Sequence, residues 1–165
     1  MEPLTAEHQE AYPRIRPVEA SHIGDMIRIA DETKLNHWTA QNYLDEMKIP
    51  ASIMLRLESQ TNHTIGFIVG RIIQGGVAET AVDAEVYNLA VVVNEQKKGF
   101  GQQLFDAFFA ICREKQVANI WLEVRKSNLQ ANNFYERMGF ACVQTRNNFY
   151  ENPREPALLM KLKLK

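Results

Sequence analysis

The sequence is poor in cysteine, and its two cysteines do not suggest a disulfide framework. Cys112 and Cys142 each lie in an apolar run, which favours two buried thiols over a single disulfide. The four histidines are scattered without the spacing of metal ligands, so we expect no metal site. No apolar run approaches the ~20 residues that span a bilayer, so we expect no membrane partner.

An excess of charge of one sign is also lacking. The chain has 19 basic and 20 acidic residues, for a formal net charge of -1. Affinity for nucleic acid comes mainly from neutralised phosphates, so we expect no direct nucleic-acid binding, although a local basic patch stays open. The first residues, MEPLTAEHQEAYPRIRP, lack a basic segment followed by an apolar one. We therefore expect no secretory signal and a cytoplasmic location.

The length and composition fit one domain with a hydrophobic core. The chain has 165 residues, of which 45% are hydrophobic and 24% charged. Residues 1–13 are polar and aperiodic, which predicts a loose N-terminal arm, and residues 14–165 are predicted to form the domain. Runs such as ASIMLRLES, HTIGFIVGRIIQ, AEVYNLAVVV and ANIWLEVR predict strands, with helical spacings before, between and after them. This order predicts an α/β or α+β fold with a mixed sheet.

Two helices in the second half are marked by their ends. A helix is predicted to begin within QKKGFGQQL and to bury one stripe: Leu104, Phe105, Phe108, Phe109 and Cys112. The next helix lies in SNLQANNFYERMGF, where Ser127 and Gln130 fit a capping box and Gly139 fits the C-terminal end.

The turn before the first of these helices has the composition of an anion site. Helix N-termini present unpaired N–H groups and partial positive charge. Gly99 and Gly101 carry no side chains that would hold an anion away, and Lys97 and Lys98 add charge. The segment matches neither a Walker loop nor a dinucleotide fingerprint. A glycine turn without a ligand therefore remains an alternative.

Two residues could carry chemistry, and each has a structural alternative. Alternation along WLEVR places Glu123 with Trp121, opposite the apolar positions. A glutamate in an apolar strand must be paired or solvated, so Glu123 either faces a cleft or forms an ion pair with Arg125 or Lys126. Tyr135 shares the apolar face of its helix, which is also typical of a core tyrosine.

Taken together, these segments resemble the GNAT superfamily of N-acyltransferases. Gln96, Gly99 and Gly101 match that family's pyrophosphate-binding pattern of Arg or Gln, two residues, Gly, one residue, then Gly or Ala. WLEVRKSNLQANNFYERMGF and RNNFYENPREPALLMKL are similar to segments of the bacterial ribosomal-protein-alanine N-acetyltransferases, the RimI type. The resemblance is close over residues 87–164 and weaker from residue 14, where HWT matches an aromatic-rich acceptor loop.

The resemblance implies the GNAT fold and acetyl-coenzyme A as cosubstrate. It implies that backbone amides of the turn hold the pyrophosphate, at Lys97, Lys98, Gly99, Phe100, Gly101 and Gln102. It also implies that the pantetheine arm lies against the preceding strand, at Leu89, Ala90 and Val91, and that Asn128 contacts the cofactor.

The same resemblance implies roles in catalysis. Glu123 matches the family's general base and Tyr135 its general acid, in direct attack by an amine within a ternary complex. The implied acceptor is the α-amino group of a protein N-terminus, with a ribosomal-protein alanine as the specific expectation. Acetylation of a small-molecule amine and a non-catalytic coenzyme A-binding module remain alternatives. Arg154, Glu155 and Pro156 depart from the family's Arg-Glu-Asp, which bears on the acceptor.

Overall fold

A mixed sheet of seven strands forms the framework of the protein. The computed structural model describes residues 12–35, 38–74 and 81–164. The strands are β1 (Arg14–Pro17), β2 (Ser52–Glu58), β3 (Thr64–Gln74), β4 (Val82–Val91), β5 (Asn119–Arg125), β6 (Ala141–Tyr150) and β7 (Glu155–Lys163). The helices are α1 (Ile23–Glu32), α2 (Ala40–Met47), α3 (Phe100–Glu114) and α4 (Leu129–Arg137). The predicted fold class and element order are confirmed.

The strands lie in the order β1-β2-β3-β4-β5-β7-β6. Within the described residues β4 and β5 form the one parallel pair, and the other neighbours are antiparallel. α3 connects the two parallel strands, as a crossover helix must.

Helices cover both faces of the first half of the sheet. Under α3 lies one apolar cluster, in which the α3 residues Leu104, Phe105, Phe108 and Cys112 are fully buried, as predicted. α1 and α2 cover the other face with a second cluster that contains Met26, Ile29, Tyr43, Phe67 and Val69. Ile68 belongs to the first cluster and its neighbours Phe67 and Val69 to the second, as alternation along a strand requires.

Local signals determine where the helices begin. Thr39 caps α2 by accepting a hydrogen bond from the backbone N–H of Asn42 at 3.2 Å. The predicted cap of α4 is wrong by one residue. Asn128 accepts from the N–H of Ala131 at 3.2 Å, whereas the N–H of Ser127 donates to Glu155. Ser127 therefore belongs to the connection between β5 and α4.

The prediction of two buried thiols is half wrong. Both cysteines are free, but Cys112 is buried on the inner face of α3 and Cys142 is exposed on β6. β6 is an edge strand, and its residues are exposed from Ala141 to Phe149. An apolar run on an edge strand without a covering helix does not bury its members.

Parallel pairing covers only part of β4 and β5. It runs from Asp83 opposite Asn119 to Val86 opposite Leu122. Beyond that point β4 continues along β3 and β5 continues along β7. Tyr87 lies at a β-bulge, because Gly70 pairs with Val86 and Val69 pairs with Asn88. The carboxyl ends of the two strands therefore separate.

Some predictions fall outside the described residues. These are the N-terminal arm up to residue 11 and His37 of the HWT segment. Among the described helices, none has the length and apolar character needed to cross a membrane.

Candidate active site

A cleft of about 270 Å³ lies where β4 and β5 separate. Its lining combines two carboxylates with four aromatic side chains and one valine: Glu85, Glu123, Trp38, Tyr87, Phe149, Tyr150 and Val86. The strands contribute the carboxylates, and the segment before α2 and the end of β6 contribute aromatic side chains from opposite sides. Such a lining suits a cationic amine, since carboxylates and aromatic faces both attract it.

Glu123 faces this cleft and is also paired. Its carboxylate lies 2.8 Å from the Arg146 guanidinium, and its side chain is 22% exposed. Burial raises the pKa of Glu123 above its ordinary value, Arg146 opposes that shift, and the Glu85 carboxylate adds to it. The predicted ion pair with Arg125 or Lys126 is wrong, because β6 supplies the partner. Glu123 thus faces a cleft, as the first alternative predicted, and its ion pair is with Arg146 of β6.

Tyr135 lies in a cluster of aromatic rings beneath α4. Its ring centroid is 5.5 Å from that of Phe134, 5.9 Å from that of Phe140 and 6.0 Å from that of Phe105. Burial raises the pKa of its phenol well above the ordinary value, and Tyr150 adds to the shift. The phenol therefore stays protonated at neutral pH. Tyr135 is not among the described residues that line the cleft, so a purely structural role in the core remains an alternative to a catalytic one.

Each glycine of the turn before α3 has its own structural explanation. Gly99 is the N-cap of α3 and has a positive φ of 84°, which other residues rarely adopt. A Cβ at Gly99 would meet no atom within 4 Å, so this side of the turn is open. A Cβ at Gly101 would lie 3.3 Å from the Phe134 ring, so Gly101 also allows α4 to pack closely on α3.

The start of α3 offers unpaired donors. Within the described residues no side chain caps this helix, and its first N–H groups lack intrahelical acceptors. Of the two adjacent lysines, Lys98 lies 3.0 Å from the Glu95 carboxylate, whereas Lys97 is exposed with a positive φ of 61°. The turn thus retains the partial positive charge of a helix N-terminus, although one of its lysine charges is balanced.

Gln96 and Asn128 border the space between β4 and α4. The Gln96 side-chain amide donates to the Val91 carbonyl at 3.0 Å, and the Gln130 amide donates to the Gln96 oxygen at 3.3 Å. The Asn128 oxygen is used by the cap of α4, which leaves its NH₂ group for another partner. Leu89, Ala90 and Val91 lie on the part of β4 that has no pairing with β5. An extended amide-containing chain fits such a strand edge.

A second aromatic group supports the side of the cleft nearest α2. The Trp38 ring centroid lies 5.1 Å from that of Tyr43 and 5.7 Å from that of Tyr87. Arg71 lies over the Tyr87 ring at 5.5 Å and binds the buried Glu46 of α2. This ion pair therefore connects α2 to β3, and the contact of Arg71 with the Tyr87 ring connects both to β4, which carries cleft residues.

The sequence predicted a cleft position for Glu123 and an acceptor loop at HWT, which contains Trp38, but it did not predict Glu85, Tyr87, Phe149 or Arg146 as residues of this site. Glu85 could have been found from its alternation within an apolar strand, as Glu123 was. Arg146 gave no local signal, because β7 lies between its strand and β5. No cluster of potential metal ligands occurs within the described ranges.

Comparison with known proteins gives consistent matches. The profile described as the Acetyltransferase (GNAT) family matches residues 23–140. The [ribosomal protein bS18]-alanine N-acetyltransferase of Haemophilus influenzae is 31% identical over 153 residues, covering 88% of this chain and 95% of that one. A putative enzyme of the same description from Bacillus subtilis is 26% identical over 147 residues, covering 88% and 92%.

Solved structures share the architecture. The ribosomal-protein-S18-alanine N-acetyltransferase of Escherichia coli superposes with a TM-score of 0.79 at 23% identity, covering 92% of this chain and 94% of that one. Ard1 from Thermoplasma volcanium superposes with a TM-score of 0.82 at 25% identity, covering 94% and 99%.

Replacing Arg146 by alanine should raise the pKa of Glu123 further, because burial and Glu85 would act without the opposing guanidinium. A pH titration of the ¹³C-labelled carboxyl by NMR measures this. Arg137→Ala, at an exposed arginine of α4, is the control and should leave the pKa unchanged. An unchanged or lowered pKa in Arg146→Ala would show that the ion pair does not govern the charge of Glu123.

Proposed function

Because the chain belongs to the GNAT family of acetyltransferases, we propose that it acetylates the α-amino group of a protein N-terminus with acetyl-coenzyme A. The specific acceptor in this proposal is the amino-terminal alanine of ribosomal protein bS18, the acceptor named for the relative with 31% identity. The observation that carries the proposal is the separation of β4 and β5, which joins the glycine turn to a cleft with two carboxylates. A ribosomal acceptor implies a cytoplasmic location, and residues 14–165 would form one catalytic domain.

The residues around the turn fit the cosubstrate. Donors at the start of α3 suit a pyrophosphate, and the resemblance assigns this contact to the amides of Lys97, Lys98, Gly99, Phe100, Gly101 and Gln102. The open side at Gly99 allows close approach. The edge of β4 at Leu89, Ala90 and Val91 has no pairing with β5 and suits the amide groups of pantetheine. The cap of α4 uses only the oxygen of Asn128, so its NH₂ group is proposed to contact the cosubstrate. The bound molecule would supply an activated acetyl thioester.

The acceptor amine must be neutral to attack. A peptide α-amino group has a pKa of about 7.7–8, against about 10.4 for a lysine side chain, so an N-terminus needs only a modest base. Burial raises the pKa of Glu123, which strengthens it as a base. In the proposed step, the amine nitrogen forms the bond to the acetyl carbon and its proton passes to Glu123 through water.

The leaving sulfur needs a proton when its bond to the acetyl carbon breaks. Tyr135 is the proposed donor, the role that the resemblance assigns to it, and its phenol, whose pKa is raised by burial, is protonated at neutral pH. Backbone N–H groups on the unpaired part of β4 would stabilise the charge that develops on the carbonyl oxygen. Both cysteines are outside the lining of the cleft, Cys112 on the inner face of α3 and Cys142 on β6, so direct attack without an acetyl-enzyme is proposed.

The acceptor is tested with a panel of compounds and labelled acetyl-coenzyme A. We expect acetylation of peptides that begin with alanine, above all the bS18 N-terminus, at rates far above those for free polyamines and aminoglycosides. A peptide with a blocked amino-terminus is the matched control and should remain unmodified. Acetylation of the small amines alone would favour that alternative, and coenzyme A binding without thiol release from any acceptor would favour a non-catalytic module.

The catalytic roles are tested by Glu123→Gln and Tyr135→Phe, which keep the shapes of the side chains. Each should lower kcat by about 10²–10⁴-fold, the usual contribution of a general base or acid. Binding of coenzyme A, measured by calorimetry, should be retained. Glu136→Gln, on the exposed side of α4, is the control. An unchanged kcat in either catalytic variant would contradict the role of that residue.

A further inference from the structure

One wall of the cleft is carried by a hairpin loop. β6 ends at Tyr150 and β7 begins at Glu155, and these two residues pair across the turn that connects the strands. Phe149 and Tyr150 line the cleft, and their rings contact each other edge to face at 5.0 Å. The position of this loop therefore sets the width of the cleft on the side opposite Trp38.

Arg125 reaches across to this loop from the end of β5. Its guanidinium donates to the Glu155 carboxylate at 2.8 Å, to the Pro153 carbonyl at 3.2 Å and to the Glu151 carbonyl at 3.4 Å. It also lies over the Tyr150 ring, 4.2 Å from its centroid. One side chain thus contacts the loop at four residues, including the ring that lines the cleft.

Further hydrogen bonds connect Glu155 and the start of β7 to the residues that follow β5. The second oxygen of Glu155 accepts from the N–H of Ser127 at 3.2 Å, and the N–H of Lys126 donates to the Pro156 carbonyl at 3.1 Å. Hydrogen bonds from Ser127 and Arg125 hold the pKa of Glu155 below its ordinary value. The loop is therefore attached to the connection between β5 and α4.

The geometry requires an arginine. A guanidinium is planar and has five N–H donors, so it can bind a carboxylate and two carbonyls while it stacks on a ring. A lysine could keep the ion pair with Glu155 but could not make the remaining contacts together. The Arg125 side chain is 30% exposed, so these bonds are partly shielded from water.

Arg125 also lies two residues beyond Glu123 on the same strand. Alternation places both side chains on the same face of β5. β5 therefore carries both the proposed base and the side chain that contacts the carboxyl end of β6 at Tyr150. The distance between Glu123 and the Tyr150 wall is thereby set by one short segment of backbone.

We propose that Arg125 is a positioning residue for the acceptor, which holds Tyr150 and its loop against the cleft so that the first residues of the acceptor chain are bound beside Glu123. The proposal rests on the proposed function. It assigns Arg125 to recognition of the acceptor and gives it no part in binding acetyl-coenzyme A or in proton transfer.

The kinetic test uses Arg125→Ala and Arg125→Lys in the full chain. Arg125→Ala should raise KM for the acceptor peptide by about tenfold or more, the loss expected for charge-assisted hydrogen bonds, with little change in kcat or in KM for acetyl-coenzyme A. Arg125→Lys should give an intermediate KM. Arg28→Ala, which removes an ion pair with Asp25 on α1, is the control and should change neither constant.

A second readout does not depend on activity. Hydrogen exchange of the free protein should show faster exchange over residues 149–155 in Arg125→Ala, with α1 to α3 unchanged. Glu155→Gln, which removes the ion pair but keeps the side-chain shape, should give a smaller change in the same direction. It also serves as the test if Arg125→Ala fails to fold.

An unchanged acceptor KM in Arg125→Ala would overturn the proposal, and so would an equal loss of affinity for acetyl-coenzyme A. Faster exchange of the loop with an unchanged acceptor KM would make Arg125 a structural residue only. If the wild type acetylates no peptide, the proposed function fails and the acceptor role fails with it. Hydrogen exchange would then still show whether Arg125 holds the loop.

Discussion

The parallel pairing of β4 and β5 ends at Val86 and Leu122, and the arrangement of the site depends on that end. Before that point along the chain, the two strands share hydrogen bonds and a common core. After it, the bulge at Tyr87 turns β4 away, so that β4 pairs only with β3 and β5 only with β7. The result is an unpaired stretch of β4 beside the start of α3, where an extended chain can add to the strand edge. One interruption of a sheet thus leaves the space in which we propose that the cosubstrate and the reacting amine bind.

Charge is distributed unevenly around this opening. Glu85 and Glu123 lie on the cleft side, and burial together with their mutual repulsion favours protonation of Glu123. Arg146 partly compensates, so that the carboxylate is neither isolated nor fully neutralised. On the other side, the start of α3 presents unpaired N–H groups. Unpaired N–H groups at the start of α3 and a pair of carboxylates in the cleft therefore flank the same interval between β4 and β5.

Local patterns in the sequence predicted the elements, because apolar spacing and caps act within a few residues. Alternation along β5 likewise placed Glu123 on the face opposite the apolar positions. In the structure Glu123 is partly exposed, whereas Leu122 and Val124 are buried. Long-range contacts were not predictable in this way. Arg146 meets Glu123 only because β6 and β5 share β7 as a neighbour, and Cys142 is exposed because β6 is an edge. Gly101 illustrates the same limit. The sequence pattern explained this glycine by room for an anion, and the structure shows that it also makes room for the Phe134 ring.

The most direct measurement is an NMR titration of the ¹⁵N-labelled protein with coenzyme A. We expect saturable shifts concentrated on the backbone amides of residues 89–91 and 97–102, the unpaired edge of β4 and the start of α3. Amides that do not shift at saturating coenzyme A, or shifts confined to another surface of the protein, would contradict the proposed binding site.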